Sequence, residues 1–128
     1  MNANVTEKVI YGKGIRTNNQ NTDKILNLWA EFSHLNVKGD VYGVYSNYES
    51  DYTGDYDLRV GTEEKSNDVS SVTIPEDNYH VVEVDHTDPQ GVYNAWVNIW
   101  KSDIQRAYKT DFEYYAKDGS IKIYLSVK

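Results

Sequence analysis

The chain has 128 residues, no cysteine and a formal net charge of −7. This length suits a single domain spanning residues 1–128, and the 39% hydrophobic and 13% aromatic content excludes a disordered chain. The lack of cysteine excludes disulfides, thiolate catalysis and zinc–sulfur sites. The acidic balance, with no cluster of Lys or Arg, argues against direct binding to nucleic acid.

Two segments, residues 22–35 and 89–104, place apolar side chains at offsets of three and four and are predicted to be amphipathic helices. The stripe of the first is formed by Ile25, Leu28, Trp29, Phe32 and Leu35. The stripe of the second is formed by Val92, Ala95, Trp96, Ile99 and Trp100. Asp88-Pro89 is a start signal for the second helix, because it combines a capping side chain with proline at the first helical position.

The remaining segments are typical of strands. They are residues 8–15, 41–48, 56–60, 72–74, 79–84, 110–116 and 121–127, and the polar residues 62–71 are predicted to be a connecting loop. Asp118-Gly119 between two alternating apolar runs predicts a hairpin that joins the last two strands.

The order strand, helix, strand, strand occurs twice, in residues of about 6–64 and about 72–128. Leu28-Trp29-x-x-Phe32 parallels Ala95-Trp96-x-x-Ile99, and the run from Tyr42 to Tyr45 parallels the run from Phe112 to Tyr115. A duplicated β-α-β-β unit predicts an α+β fold in which both helices cover one face of an antiparallel sheet. Two helices related by a pseudo-twofold axis leave a cleft between them, where pockets form.

These motifs, together with Pro75, Arg106 and the run Asp111-Phe112-Glu113-Tyr114-Tyr115, resemble the GyrI-like effector-binding domain over nearly the whole chain. That domain is the ligand-sensing part of AraC-type and MerR-type transcription regulators. It also occurs as stand-alone proteins, some of them encoded on integron cassettes and binding cationic drugs. The resemblance implies a cleft on the pseudo-twofold axis and an acidic residue inside it, which is Glu113 in this chain. Only seven residues precede Lys8, so the resemblance reaches the sensor domain alone.

The predicted function is therefore binding of lipophilic organic cations, in a multidrug manner, by a stand-alone module without a cofactor. A buried carboxylate needs compensation, and aromatic faces attract cations. Spacing alone favours the solvent face of the strand for Glu113; the resemblance instead implies a position inside the cleft. The predicted aromatic ligand-binding residues are Trp96, Tyr45, Tyr124, Trp29, Tyr115 and Tyr56.

Two other functions stay open at this point. Glu113 with Tyr45 or Tyr124 fits a small hydrolase that uses the carboxylate as base. The second alternative is a gyrase-inhibitor-like protein with an acidic surface. The partner is expected to be a small cation, with no nucleic acid and no membrane; a partner regulator or a homodimer is left open. The N-terminus does not look like a signal peptide, and the expected location is the cytoplasm.

Overall fold

The computed structural model describes residues 2–33, 39–65 and 69–128, which form eight strands and two helices. In chain order these are β1 (Asn2–Val5), β2 (Lys8–Thr17), α1 (Thr22–Ser33), β3 (Val41–Ser46), β4 (Tyr56–Thr62), β5 (Ser71–Ile74), β6 (Asp77–Val84), α2 (Gly91–Lys101), β7 (Asp111–Tyr115) and β8 (Ile121–Ser126). The predicted unit of strand, helix, strand and strand therefore occurs as β2-α1-β3-β4 and again as β6-α2-β7-β8.

The strands form one antiparallel sheet in the order β1-β6-β8-β7-β3-β4-β2-β5. This order is symmetrical about the pairing of β7 with β3, and each half of the sheet contains the three strands of one repeat. Strand β1 precedes the first repeat in the chain and pairs with β6 at the outer edge of the second repeat. Strand β5 precedes the second repeat and pairs with β2 at the outer edge of the first repeat. The predicted α+β class with two related repeats is confirmed, and β1 is the strand of the eight that the sequence did not predict.

The two repeats meet at the pairing of β3 with β7, in which Gly43 lies directly opposite Glu113. These two residues also occupy equivalent positions in the two repeats. The pair therefore lies on the symmetry element that relates the halves of the sheet. Because cross-strand neighbours share a face, Glu113 and its other neighbour, Ile123 of β8, point to the same side.

Both helices cover that side of the sheet. Leu28 of α1 packs against Leu58 of β4, while Ile99 of α2 packs in a cluster with Ile123 of β8. The helices lie over different halves of the sheet, as the sequence predicted, and leave a cleft above the seam. In the described part of the chain, no helix combines the length and the apolar character needed to cross a membrane.

The opposite side of the sheet is curled around its own apolar cluster. Phe112 of β7 and Tyr79 of β6 are buried at its centre. Val5 and Val72 pack against it from the two edge strands, so the edges approach each other. The molecule thus has two apolar layers: a helix-covered one that contains Glu113 and a curled one that does not.

Helix α2 is shorter than the predicted range of residues 89–104, although it contains the whole apolar stripe. It begins at Gly91 because Asp88 forms a turn with the residues that follow it. The Asp88 carbonyl accepts a hydrogen bond from the Gly91 N–H, and the Asp88 carboxylate oxygen Oδ1 accepts one from the Gln90 N–H, both at 2.9 Å. Asp88-Pro89 therefore forms a turn in front of the helix rather than its first residues. The helix ends at Lys101 because Ser102 is extended and its Oγ donates to the Ile99 carbonyl at 2.7 Å.

The sequence also missed β1, whose alternating asparagines are poor strand formers. This strand forms because β6 offers it an open edge, with Asn4 opposite Asn78. The predicted end of the first helix at Leu35 lies outside the described residues, and α1 is described as far as Ser33. Residues 66–68 of the predicted connecting loop also lie outside them.

Candidate ligand-binding site

Glu113 is a buried carboxylate at the centre of the helix-covered face, with 2% of its surface exposed. Strand β7 places it there, because the alternation of a strand sends Glu113 to one side and its neighbours Phe112 and Tyr114 to the other. Gly43 leaves room for it across the seam: a Cβ built on Gly43 would lie 3.1 Å from Glu113 Oε1.

Three side chains donate hydrogen bonds to this carboxylate. The Tyr45 hydroxyl and the Trp96 indole Nε1 both donate to Oε2, at 3.0 and 2.5 Å. The Tyr115 hydroxyl donates to Oε1 at 2.8 Å. An ionised carboxylate only accepts hydrogen bonds, so this set of three donors is matched to the charged form of Glu113.

Burial and hydrogen bonding act in opposite directions on this carboxyl. Burial raises the pKa of Glu113, and the hydrogen bonds from Trp96, Tyr115 and Tyr45 partly offset that rise. The pKa values of Tyr45 and Tyr115 are raised well above the ordinary range of a tyrosine, mainly by burial and secondly by the negative charge of the neighbouring Glu113. Both phenols are therefore protonated donors at neutral pH.

A cavity of about 460 Å³ opens above the carboxylate, between α1 and α2. Leu26 of α1 and Tyr93 of α2 line it and are exposed by 64% and 61%, so it reaches solvent between the helices. Aromatic rings form most of its wall: Trp29, Tyr45, Tyr48, Tyr52, Tyr56, Tyr93, Trp96, Trp100 and Tyr115. The arrangement can enclose an apolar body and present ring faces to a positive charge.

Contacts between aromatic rings link the helices to the strands around the cavity. Trp29 meets Tyr115 edge-on with centroids 5.1 Å apart, and Tyr45 meets Trp96 in the same way at 5.4 Å. These pairs join α1 to β7 and α2 to β3. The side chains that contact Glu113 are thus fixed by both ring packing and hydrogen bonds.

A second pair of charged groups lies beside the cavity. The guanidinium of Arg106 donates through Nη2 to Asp111 Oδ2 at 2.7 Å, and both side chains are almost completely buried. The Tyr48 hydroxyl donates to the same Oδ2 at 2.6 Å, and burial together with the Asp111 charge raises the pKa of this phenol well above its ordinary range. The N–H and hydroxyl of Ser126 donate to Oδ1 at 2.7 and 3.0 Å.

The structure brings together six of the seven predicted site residues. The lining of one cavity includes Glu113, Trp96, Tyr45, Trp29, Tyr115 and Tyr56. Their binding of a ligand stays a prediction.

Tyr124 is the exception, and its placement corrects the prediction. It lies opposite Phe112, and its ring stacks on that ring at 4.5 Å in the curled layer. Strand alternation sends Tyr124 away from Ile123, and Ile123 shares its face with Glu113.

The sequence did not assign Arg106 and Asp111 to the site, although a signal was present. Asp111, Glu113 and Tyr115 alternate along one strand, so an inward Glu113 requires an inward Asp111. A second buried carboxylate then requires a cationic partner, and the basic residues that precede it closely are Arg106 and Lys109. Within the described ranges, no group of three or more His, Asp or Glu side chains is arranged to hold a metal ion.

Substitution of Gly43 by alanine is expected to disturb the site without unfolding the sheet. The added Cβ would lie 3.0 Å from Trp29 Cζ2 and 3.1 Å from Glu113 Oε1, so both groups must move by a few tenths of an ångström. The expected results are a smaller effect on stability than on ligand affinity and a change in tryptophan fluorescence. Gly39→Ala is not a matched control, because Gly39 has a φ of +98°; Ala3→Gly in β1 tests backbone effects far from the cavity.

The family model for an integron-associated effector binding protein, Cass2, matches residues 5–127. The integron cassette protein VCH_CASS2 from the mobile metagenome of Vibrio cholerae is 29% identical, with a TM-score of 0.87 over 100% of this chain and 95% of that one. A comparison with curated proteins found no match.

Two more distant structures share the fold. SAV2435, solved bound to tetraphenylphosphonium, is 14% identical with a TM-score of 0.74 over 100% of this chain and 93% of that one. A putative bacterial transcription regulation protein from Staphylococcus aureus MU50 is 12% identical with a TM-score of 0.70 over 100% and 97%. The resemblance found in the sequence is confirmed by the family match: the chain belongs to the family of integron-associated effector binding proteins.

Proposed function

We propose that this protein binds lipophilic organic cations in the cavity above Glu113, as a sensing or sequestering module. The observation that carries the proposal is the carboxylate itself. Glu113 is buried and accepts hydrogen bonds from neutral donors, and none of the ion pairs among the described residues involves it. Its negative charge is therefore uncompensated inside an aromatic cavity that is open to solvent.

Such a site favours a cation that has an apolar body. Burial of a carboxylate without an opposite charge is unfavourable, and an arriving cation supplies that charge in a medium of low dielectric. Ring faces contribute roughly 0.5–2 kcal/mol each when a cation lies over them. Neither attraction demands a narrow geometry, so the proposal extends to a range of ligands of similar size.

The comparisons support the chemical class of the ligand. The family is described as effector binding, and SAV2435 was solved with tetraphenylphosphonium, a lipophilic cation. The cavity volume of about 460 Å³ falls within the range of small-molecule sites, roughly 300–1,000 Å³.

Binding is better supported than hydrolysis. A nucleophilic or basic tyrosine needs a lowered pKa, whereas burial raises the pKa of Tyr45 and Tyr115. Tyr124, the other tyrosine considered for catalysis, lies in the curled layer rather than beside Glu113. A partner regulator and a homodimer stay open.

The proposal is tested with two ions of nearly the same shape and opposite charge. Tetraphenylphosphonium is expected to quench tryptophan fluorescence with micromolar affinity, because Trp29, Trp96 and Trp100 line the cavity. Tetraphenylborate is expected to bind at least about tenfold more weakly. The titrations are run at about 0.15 M salt, where a Debye length of about 8 Å screens the surface charge. Equal binding of both ions, or no binding of the cation, contradicts the proposal.

A further inference from the structure

The wall of the cavity carries one acidic and one basic side chain. Among the described residues that line it, Glu113 and Arg106 are the charged ones. Trp96 lies between them: its indole N–H donates to Glu113, and the centroid of its ring is 5.7 Å from the Arg106 guanidinium carbon. The cavity is therefore electrically polarised, negative at the seam of the sheet and positive beside Trp96.

The guanidinium of Arg106 lines the cavity, whereas Asp111, the carboxylate that balances its charge, does not. One N–H of Arg106 is bonded to Asp111, but Nε and Nη1 have no acceptor among the described residues, and the residue is 6% exposed. The guanidinium instead lies against ring faces, 5.7 Å from Trp96 and 4.5 Å from Tyr108. Its charge therefore acts on the cavity through rings rather than through solvent.

Asp111 does not offer a second site for a cation. Its charge is already paired with the Arg106 guanidinium at 2.7 Å, and it also accepts hydrogen bonds from Tyr48 and twice from Ser126. It is completely buried and is not among the side chains that line the cavity. The cavity thus contains one carboxylate that is free to balance the charge of a ligand, which is Glu113.

We propose that Arg106 makes this cavity selective for lipophilic cations with a single positive charge and leads it to reject dications. The inference rests on the proposed function and specifies its ligand class. A monocation places its charge near Glu113 and its apolar body among the rings. A dication leaves a second charge in the same cavity, near the guanidinium and without a carboxylate, where repulsion between like charges opposes binding.

The test uses two probes that differ in charge and hardly in shape. They are 1-methyl-4-(4-methylphenyl)pyridinium, a monocation, and 1,1′-dimethyl-4,4′-bipyridinium, a dication of the same length. Affinities are measured by calorimetry, or by displacement of a fluorescent monocation, at about 0.15 M salt. We expect the wild-type protein to bind the monocation at least about tenfold more tightly, which corresponds to about 1.4 kcal/mol.

Variants separate the role of Arg106 from the general preference of an apolar cavity for fewer charges. In Arg106→Met/Asp111→Asn the ion pair is removed as a unit, so no unpaired buried charge remains. We expect the ratio of the two affinities to fall to about threefold or less in this variant. Arg106→Lys retains the positive charge, and the ratio should stay close to that of the wild type. Lys13→Met removes an exposed positive charge outside the cavity lining and should leave the ratio unchanged.

The outcomes are distinguishable. A ratio that falls in the double variant and persists in Arg106→Lys supports the proposal. Equal binding of the two probes by the wild-type protein, or an unchanged ratio in a double variant with a cooperative unfolding transition, overturns the role of Arg106 and leaves cation binding at Glu113 standing. If the wild-type protein binds none of the three cations, that is, neither of the two probes nor tetraphenylphosphonium, both proposals are overturned.

Discussion

Replacement of Glu113 by glutamine is expected to weaken the binding of tetraphenylphosphonium at least about tenfold, or about 1.4 kcal/mol. The amide has nearly the same shape as the carboxylate, so the cavity and its rings are retained. Its oxygen can accept from Tyr45 and Trp96, which both donate to one oxygen of Glu113. What the substitution removes is the negative charge, and with it the Coulomb attraction for the ligand.

The matched control is Glu76→Gln, which removes the same charge from an exposed position. It should leave the affinity within about a factor of two of the wild-type value, because surface charges are screened by salt. Both variants are compared by tryptophan quenching at the same ionic strength. Unchanged binding in Glu113→Gln, with a normal unfolding transition, is the result that would contradict a carboxylate-centred site.

The pH dependence of Glu113→Gln provides an independent check. Burial raises the pKa of Glu113 above its ordinary value of 4.5. The contribution of this carboxyl to stability is therefore fully present below pH 4.5 and is lost as the pH rises through the folded-state pKa. Glutamine does not titrate, so the variant should gain stability relative to the wild type across that window. Denaturant unfolding measured at a series of pH values tests this sign, and a free energy of unfolding of the variant that falls relative to that of the wild type as the pH rises would contradict it.

Ligand binding should depend on pH in the complementary direction. A cation prefers the ionised carboxylate, so the affinity of the wild-type protein should rise as the pH rises through the folded-state pKa of Glu113 and then level off. The affinity of Glu113→Gln should not change over the same interval. Calorimetry in two buffers of different ionisation enthalpy would detect the proton that the wild-type protein releases on binding.

Much of the helix-covered layer could be predicted from the sequence because its signals are periodic. Trp29 and Trp96 lie on apolar stripes of helical spacing, and both reach the cavity. The burial of Glu113 could not be deduced from alternation alone, because either face of its strand is compatible with the sequence. The resemblance to an effector-binding domain decided that point, and the structure shows the buried position.

The predictions that were wrong or incomplete depend on strand pairing across the sheet. Tyr124 can be placed only when Ile123 is known to lie opposite Glu113. Strand β1 has a weak local preference for extended structure and is stabilised by an edge distant in sequence. Arg106 lies outside the named helices and strands and pairs with Val127 in an isolated bridge, so no periodicity marks it.

The salt bridge between Arg106 and Asp111 leads to the largest expected change in stability. Substitution of Arg106 by methionine leaves the carboxylate of Asp111 completely buried without its cationic partner. Removal of one member of a buried pair typically lowers the free energy of unfolding by about 3–5 kcal/mol, because the remaining charge is uncompensated. Arg16→Met is the matched control: Arg16 is paired with Asp57, and these side chains are exposed by 45% and 41%.

Loss of the exposed pair between Arg16 and Asp57 is expected to lower the free energy of unfolding by about 1 kcal/mol or less. Arg106→Met/Asp111→Asn should recover much of the stability lost in Arg106→Met, because the asparagine amide can donate to Tyr48 and leaves no buried charge. Denaturant unfolding of the four proteins at neutral pH, analysed with a common slope, measures these differences. Equal losses in Arg106→Met and Arg16→Met would show that Asp111 gains no stability from its buried partner. We expect the free energy of unfolding to decrease in the order wild type, Arg16→Met, Arg106→Met/Asp111→Asn and Arg106→Met.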